Sequence, residues 1–394
     1  MNTKSTSFTM YLCCCAMMCL AISVNLPPVF LTTFGETFGV NGELNSEQLG
    51  RIPAVLFSAM VIGIVFAGPL VDRWGARLFA ILGLAFITLG LVALGLAPNY
   101  SVLLLAVSFL GLGAACMEVV LSPIVAAAKP EQRTSALNKL HLFYCIGAVI
   151  TVLIGSAALY FNISWRILCF VILIFPILVT LGFIMIQPPT IVHQDKSRTS
   201  LRYLIRHPFV LVAALAIFLG GATEIGLAQW LPAYAERGLG YSKSTGGVAL
   251  AVFSIAMGMG RYVVARIVHR TGTIPLMMFS CMIIFLLIIV GCFSPFAPIA
   301  LAACVSVGLV VGCLWPSTLA VASDRFPDGG ASLFAILAAS GNVGCVLMPW
   351  LIGFITEQSN PRYGLISTAV CPLLLVFLLM WMHHDVKKQS GGRV

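Results

Sequence analysis

The chain has 394 residues, of which 60% are hydrophobic and only 9% are charged, and its mean hydropathy is +1.04. Soluble domains carry roughly 25% charged residues and a membrane-spanning helix needs about 20 apolar residues, so the composition excludes an ordinary soluble protein and leaves room for about a dozen spans. The net charge of +9 comes from basic residues scattered at the ends of apolar runs, which is typical of membrane topology and not of nucleic-acid binding.

Apolar runs and chain breakers predict an all-α membrane protein with twelve transmembrane helices. A signal peptide over residues 1–24 is an alternative, but the apolar run continues to Phe34, which favours a retained first helix. The predicted helices are 8–34, 48–70, 77–97, 100–127, 136–159, 164–186, 208–235, 244–268, 274–293, 297–322, 329–355 and 362–384.

The longest polar interval, residues 187–207, contains a Pro-Pro pair and five charged residues. We interpret it as a cytoplasmic linker between an N-terminal six-helix half, residues 1–186, and a C-terminal six-helix half, residues 208–394. With twelve helices and the N-terminus inside, seventeen of the 22 lysines and arginines fall on one face and five on the other. The positive-inside rule then places both termini and the linker in the cytoplasm, and the membrane is the plasma membrane, or the inner membrane in a bacterium.

The two halves resemble copies of one another. Three glycine pairs, Gly75 with Gly272, Gly111 with Gly308 and Gly147 with Gly344, are each separated by 197 residues. A constant interval across three helices indicates a duplication. In transporters built from parallel halves, the substrate site lies near the bilayer midplane and is exposed to one side and then the other. The same interval pairs Glu118 with Trp315.

The link between the second and third helices, Gly68–Arg77, reads GPLVDRWGAR. It resembles the G-x-x-x-D-R-x-G-x-R loop signature of the major facilitator superfamily, which implies the major facilitator fold. Asp72, Arg73 and Arg77 are the predicted gate residues, since Asp72 can pair with an arginine on the cytoplasmic side in one state of a rocking transporter. The alternative is a solvated loop whose arginines only follow the positive-inside rule.

Glu118 lies in the middle of the fourth predicted helix. Burying an ionised side chain at membrane depth is costly, and such residues mark ion or substrate pathways. Burial disfavours the charged form of a carboxyl group, as a proton carrier requires. The alternative is a permanently protonated structural group.

The residues around Glu118 read EVVLSP, and the fifth helix contains LNKLHLF followed by IGA. Both stretches resemble the fucose:proton symporter family, whose fourth helix has an E-T-A-A-N-P-like pattern. The resemblance implies a sugar as substrate, proton coupling through the acid of the fourth helix, and a monomer. Ser122 stands where the family usually has asparagine, and the first helix offers Asn25-Leu26-Pro27-Pro28 in place of the family's acid. Sodium stays open as the coupling ion, because intramembrane carboxylates and carbonyls of broken helices can coordinate it.

Glu224 is the second intramembrane acid and a second candidate for proton coupling, with structural pairing as the alternative. We expect the seventh helix to be interrupted by its glycines and Pro232, as the first is by its two prolines, and paired broken helices indicate a binding site. Gln229 and Trp230 would offer an amide and a stacking face for a sugar.

His141 is a third proton-coupling candidate, one helical turn from Asn138 on the same face, although such a histidine is equally often a packing residue. The remaining predicted substrate contacts are polar or aromatic residues of helices 1, 5, 10 and 11: Asn25, Asn138, Tyr144, Trp315 and Asn342. Arg261 could face the substrate cavity, but we expect it to extend to the cytoplasmic interface.

No enzyme, metal-site or cofactor signature is present. The sequence contains no P-loop and no histidine cluster at metal-ligand spacing, and its thirteen cysteines lie within or beside apolar runs, as packing residues do. We therefore predict a cation-coupled symporter of a small polar solute, with a sodium-coupled sugar symporter or an organic-anion or drug carrier as alternatives. A receptor on the same scaffold would need neither the gate nor Glu118.

Overall fold

The computed structural model describes residues 3–39, 43–129, 133–186, 201–326 and 329–391. Within these ranges every regular element is a helix, and twelve helical segments are long and apolar enough to cross a membrane. The prediction of an all-α protein with twelve spans is therefore confirmed. The spans are Ser7–Val29, Ser46–Gly68, Ala76–Leu96, Tyr100–Ala128, Lys139–Tyr160, Trp165–Met185, Pro208–Arg237, Lys243–Thr271, Thr273–Phe293, Ala297–Arg325, Ser332–Gln358 and Pro361–Lys388.

The described residues form two compact units. The first unit contains those of Met1–His193 and Ser242–Ala251, and the second those of Gln194–Tyr241 and Val252–Val394. The predicted linker lies outside the described residues over positions 187–200, and its last part forms a short helix. The exact boundaries predicted for the two halves stay a prediction.

In the first unit, α1 packs against α5 and α6, and α5 also packs against α3 and α4. Its helices are α1 (Thr3–Val29), α2 (Leu31–Phe38), α3 (Ser46–Trp74), α4 (Ala76–Leu96), α5 (Tyr100–Ala128), α6 (Arg133–Tyr160) and α7 (Trp165–Met185). Glu118 thus lies on a helix that packs against α1, α3, α4 and α6.

In the second unit, α9 packs against α14, α16 and α13, and α11 packs against α12 and α16. Its helices are α8 (Leu201–Arg206), α9 (Pro208–Arg237), most of α10 (Lys243–Thr271), α11 (Thr273–Phe293), α12 (Ala297–Val311), α13 (Leu314–Arg325), α14 (Gly330–Gln358), α15 (Pro361–Ile366) and α16 (Val370–Gly391), with a 3-10 turn at Ser367–Ala369.

The duplication predicted from the sequence is visible in the local geometry. Gly75 ends α3 with φ 86° and ψ 148°, and Gly272 ends α10 with φ 79° and ψ 151°. Both values lie in a region that favours glycine, because a side chain would be strained there. The two residues are 197 positions apart and make the same turn between consecutive helices.

Close helix contacts repeat at the same interval. A Cβ atom added to Gly111 would lie 2.1 Å from the carbonyl oxygen of Leu56, and one added to Gly308 would lie 2.4 Å from that of Phe253. Leu56 and Phe253 are also 197 residues apart. The α3–α5 contact of the first unit and the α10–α12 contact of the second are therefore equivalent.

The helix interruptions differ in part from the expectation. The first helix ends at Val29 and resumes at Leu31, directly after Pro27 and Pro28, as expected. The expected interruption of the seventh helix is wrong, because α9 is continuous from Pro208 to Arg237. Its glycines instead allow close packing: a Cβ atom at Gly221 would lie 2.7 Å from the carbonyl oxygen of Gly341 on α14.

Candidate functional site

Glu118 projects from the fourth transmembrane helix, α5, and its side chain is partly buried. Within the part of the chain that the structure describes, its carboxyl group makes no hydrogen bond and no ion pair. Pro123 on the same helix has no N–H, so the carbonyl of Val119 lacks its usual donor four residues on. An unpaired carboxyl group in a membrane span can exchange a proton without first breaking a salt bridge.

Two of the predicted substrate contacts lie side by side in the first unit. The Asn25 side-chain amide donates to the Tyr144 hydroxyl at 3.5 Å and to the Ala21 carbonyl at 2.9 Å. Asn25 is 9% exposed, and Tyr144 is partly buried. The contact joins α1 to α6 and leaves the Asn25 amide oxygen able to accept a further hydrogen bond.

Two further candidates, His141 and Asn138, belong to α6. His141 is exposed on α6. The side chain of Asn138 lies outside the described residues, so the predicted proximity of these two side chains stays a prediction.

Glu224 is paired with a positive charge inside the second unit. Its carboxylate Oε1 lies 3.7 Å from Nη2 of Arg261, and the side chains are 14% and 32% exposed. The expectation that Arg261 extends to the cytoplasmic interface is wrong, because its guanidinium turns toward the middle of α9. The reason is electrostatic: an opposite charge within reach stabilises a charge that would otherwise be buried alone.

The tenth membrane span is interrupted where Arg261 contacts it. α12 ends at Val311 and α13 begins at Leu314, and the Nε of Arg261 donates to the carbonyl of Gly312 at 3.1 Å. Pro316 follows Gly312 by four residues and has no N–H to donate to that carbonyl. Arg261 therefore supplies the hydrogen bond that the proline removes.

Trp315 lies in a slot made by two glycines. A Cβ atom at Gly221 of α9 would lie 2.9 Å from its six-membered ring, and one at Gly341 of α14 would lie 2.3 Å from it. The residue is partly exposed, and its indole N–H makes no hydrogen bond to any described residue. It combines a fixed aromatic face with an available donor, which suits a sugar.

The other predicted contacts of the second unit are more deeply buried. The Trp230 indole N–H donates to the carbonyl of Pro349 at 2.8 Å, and the side chain is 4% exposed. Gln229 and Asn342 are 2% and 3% exposed, and the Asn342 amide donates to the Ala338 carbonyl at 3.0 Å. The Trp230 bond joins α9 to α14, whereas the Asn342 bond lies within α14. The substrate roles of the three residues stay predictions.

The predicted gate residues are only partly described. The side chain of Asp72 lies outside the described residues, and Arg73 is exposed at the end of α3. Arg77 donates from Nε to the carbonyl of Phe183 at 3.1 Å and from Nη2 to that of Ile184. These carbonyls belong to the last turn of α7, so Arg77 caps that helix.

The described cysteines form no disulfide, and all of them except Cys15 and Cys145 are buried. Among the described residues, no group of three or more histidine, cysteine, aspartate or glutamate side chains could hold a metal ion. The available chemistry is that of two carboxyl groups, one guanidinium and several aromatic and amide groups.

Sequence reasoning missed the interrupted tenth helix and the inward direction of Arg261. A signal for the first was present, because Gly312 precedes Pro316 by four residues in an apolar run. No sequence signal gave the second, since the charge of Glu224 lies 37 positions away on another helix.

Similarity to known sequences agrees with this architecture. A family model of the Major Facilitator Superfamily matches residues 12–332 and 275–393. The multidrug resistance protein Stp of Mycobacterium tuberculosis is 33% identical over 117 residues, which are 30% of this chain and 20% of Stp, so the match spans only a fifth of that relative. A cis,cis-muconate transport protein of Acinetobacter baylyi is 22% identical over 343 residues, 82% of each chain.

Solved structures of the same fold cover nearly the whole chain. A bacterial homologue of the human lysosomal transporter Spinster, in an inward-facing conformation, matches with a TM-score of 0.80 and 16% identity over 98% of this chain and 99% of that one. The E. coli fucose:proton symporter matches with a TM-score of 0.65 and 20% identity over 96% and 99%. By the family match, the chain belongs to the Major Facilitator Superfamily, a family of membrane transporters and not of enzymes, and its twelve apolar helical spans are those of a multi-pass membrane protein.

Proposed function

We propose that this transporter is a sugar:proton symporter in which Glu118 carries the proton. The observation that carries the proposal is the state of the two intramembrane acids: Glu118 makes no ion pair or hydrogen bond within the described residues, whereas Glu224 faces Arg261 at 3.7 Å. A carboxyl group without a counter-charge is the one whose charge changes most readily when a proton is offered.

The coupling follows from the cost of charge in a membrane. An ionised Glu118 opposes any movement that takes it out of contact with water, because a bare charge at membrane depth is costly. Proton binding removes that charge and allows the transporter to reorient by alternating access. Sugar would enter and leave with the proton, and Glu224 and His141 are further candidates for the proton path.

The sugar part rests on polar and aromatic groups of the membrane spans. Asn25 and Tyr144 form one hydrogen-bonding pair, and the fixed ring of Trp315 with its available N–H is a second element suited to a pyranose. The fold is also that of a fucose:proton symporter. Asn138, Gln229, Trp230 and Asn342 complete the proposed substrate contacts.

Two further parts of the proposal concern the setting. The excess of lysine and arginine on one face supports a plasma membrane protein with both termini in the cytoplasm. Asp72, Arg73 and Arg77 are the proposed cytoplasmic gate, and the transporter acts as a monomer without a cofactor.

Uptake into proteoliposomes tests the proposal. Radiolabelled hexoses, pentoses and disaccharides are offered first under an imposed pH gradient and then under a sodium gradient. We expect uphill uptake of one sugar under the pH gradient, and we expect Glu118→Gln to abolish it while downhill exchange continues. Dependence on sodium would replace the proton as the coupling ion, and retention of uphill uptake in Glu118→Gln would exclude Glu118 as the carrier.

Organic anions are a second candidate substrate class. The cis,cis-muconate transport protein matches 82% of this chain, and the muconate of its name is a dicarboxylate. If neither gradient moves any sugar, the same vesicles loaded with labelled organic acids decide this alternative.

A further inference from the structure

The second unit holds a charge pair that is incompletely hydrogen-bonded. The 3.7 Å between Arg261 Nη2 and Glu224 Oε1 is longer than a hydrogen bond. Of the five N–H groups of Arg261, the one on Nε is used by Gly312, and Nη2 has only a weak contact of 3.9 Å to the Met257 sulfur. Among the described residues nothing else bonds the guanidinium.

The pair is held in place from both sides. The Gly312 carbonyl fixes the Nε edge of Arg261, because Pro316 leaves that carbonyl without a helical donor. The opposite part of the guanidinium keeps its donors in a fork that matches a carboxylate. A fixed fork with unused donors is ready to bind an anion without reorganisation.

This arginine is specific to one half of the duplicated chain. The residue 197 positions before Arg261 is Ile64, whereas the neighbouring Gly260 corresponds to Gly63. The repeated helix contact therefore does not need an arginine. A guanidinium in a membrane span is costly unless it is paired, and the bond to Gly312 uses only its Nε, so the remaining donors are available for a second role.

An aromatic face lies next to the pair. Trp315 packs against Gly221, and Gly221 precedes Glu224 by three residues on the same face of α9. The indole follows Gly312, the hydrogen-bond partner of Arg261, by three residues. A ring, a guanidinium and a carboxyl group thus converge on one region of the second unit.

We propose that Arg261 binds the carboxylate of an acidic sugar, such as a hexuronate or an aldonate, while Trp315 contacts the sugar. Binding adds one negative charge beside Glu224, so Glu224 takes up a proton from water, and the site again holds one positive and one negative charge. The inference rests on the proposed sugar transport and names its substrate class.

Binding to the purified transporter tests this assignment. Titration calorimetry with D-glucuronate, D-gluconate, D-glucose and benzoate is performed at pH 5.5 and 7.5. We expect the two acidic sugars to bind more tightly than glucose and benzoate. We expect Arg261→Gln to weaken their binding by about 10- to 100-fold, the loss typical of a charged hydrogen-bonding partner.

Proton uptake provides a readout that a merely structural role would not change. In the unmodified protein, acidic sugars should bind more tightly at pH 5.5 than at 7.5. Glu224→Gln mimics the protonated acid, so its affinity should be high at both pH values. Arg266→Gln is the matched control, because Arg266 is exposed one and a half turns further along α10 and contacts Tyr262.

Folding is separated from binding by a double variant. Arg261→Gln alone leaves Glu224 without its counter-charge, whereas Arg261→Gln with Glu224→Gln removes both charges. The double variant should remain monodisperse and lose the preference for glucuronate over glucose. Equal affinity for both sugars in the unmodified protein, or benzoate binding as tightly as glucuronate, would overturn the inference and leave proton-coupled sugar transport intact. Absence of binding and uptake for every sugar would instead refute the proposed function.

Discussion

Two tryptophans proposed as sugar contacts occupy different environments. Trp230 donates to the Pro349 carbonyl at 2.8 Å and is 4% exposed, whereas Trp315 is partly exposed with an unused indole N–H within the described residues. We expect Trp230→Phe to lower the free energy of unfolding by about 1 kcal/mol, the value of one hydrogen bond. Thermal unfolding in detergent measures this loss.

The same substitution at Trp315 should act on binding. Trp315→Phe keeps an aromatic ring but removes the unused donor, so we expect unchanged thermal stability and a sugar affinity about 2- to 10-fold weaker. Titration of the sugar identified by uptake provides the measurement. If Trp315→Phe lowers the melting temperature and leaves affinity intact, Trp315 is a packing residue.

The residue types of the candidate site could be read from the sequence, but their pairing could not. Intramembrane acids are rare enough to be recognised one by one, which identified Glu118 and Glu224. Whether an acid has a counter-charge depends on which side chain of another helix reaches it. Arg261 was expected at the interface, although its position along α10 allows its side chain to point either way. Only the packing of the neighbouring helices decides between the two directions.

Close helix contacts at glycine explain why the glycines of the two halves occur at equivalent positions. A Cβ atom at Gly308 would lie 2.4 Å from the Phe253 carbonyl, whereas one at Gly258 would meet nothing within 4 Å. We expect Gly308→Ala to lower stability by about 1–3 kcal/mol through overpacking. Gly258→Ala, the control, should be neutral or stabilising by up to about 1 kcal/mol, since alanine favours helix.

Unfolding in mixed detergent micelles compares the two variants. Equal stability of Gly308→Ala and Gly258→Ala would mean that α10 and α12 can separate without cost. The equivalent substitution Gly111→Ala should then also be neutral, because its contact with Leu56 is the same contact in the first unit.

The start of α9 depends on a titratable cap. The Nδ1 of His207 accepts from the N–H of Phe209 at 3.2 Å. Burial lowers the pKa of His207 below its ordinary value of 6.5, the charge of Arg325 lowers it further, and Asp385 opposes them. Tyr203 and Phe326 pack against the imidazole ring.

The sign of the pH dependence follows from that lowered pKa. The folded state favours neutral His207, so the contribution to stability is complete above about pH 6.5 and is lost as the pH falls through the lower folded pKa. Melting temperatures between pH 5 and 8 should therefore fall more steeply on acidification in the unmodified protein than in His207→Asn, which keeps a cap acceptor but cannot titrate. Parallel curves would contradict this assignment.

Helix existence was predictable because long apolar runs have few other solutions in a membrane. The twelve predicted spans agree with the observed ones to within a few residues at most ends. Helix interruptions were harder to predict, because glycine and proline can either break a helix or occur within a continuous one. In α9 the glycines admit close neighbours and the helix continues through Pro232, whereas at Gly312 and Pro316 the tenth span does break.

At the scale of the whole molecule, the even number of spans and the unequal distribution of lysine and arginine predict the same orientation in the membrane. Twelve spans would place both termini on one side, and sixteen of the 22 lysines and arginines would then lie on that side, because Arg261 turns inward to Glu224. An odd number would distribute these charges on both faces. Since short basic loops resist translocation, we propose that the biased face is the cytoplasmic one.

Reporter fusions test this topology directly. Alkaline phosphatase fused after Asn162, in the loop between α6 and α7, should be active because that loop would lie outside the cytoplasm. The same enzyme fused after Arg206, near the end of the predicted linker, should be inactive. Green fluorescent protein fused to the C-terminus should fluoresce, since it matures in the cytoplasm. The reverse pattern would place these sixteen basic residues outside and would remove the physical basis for a cytoplasmic gate at Asp72, Arg73 and Arg77.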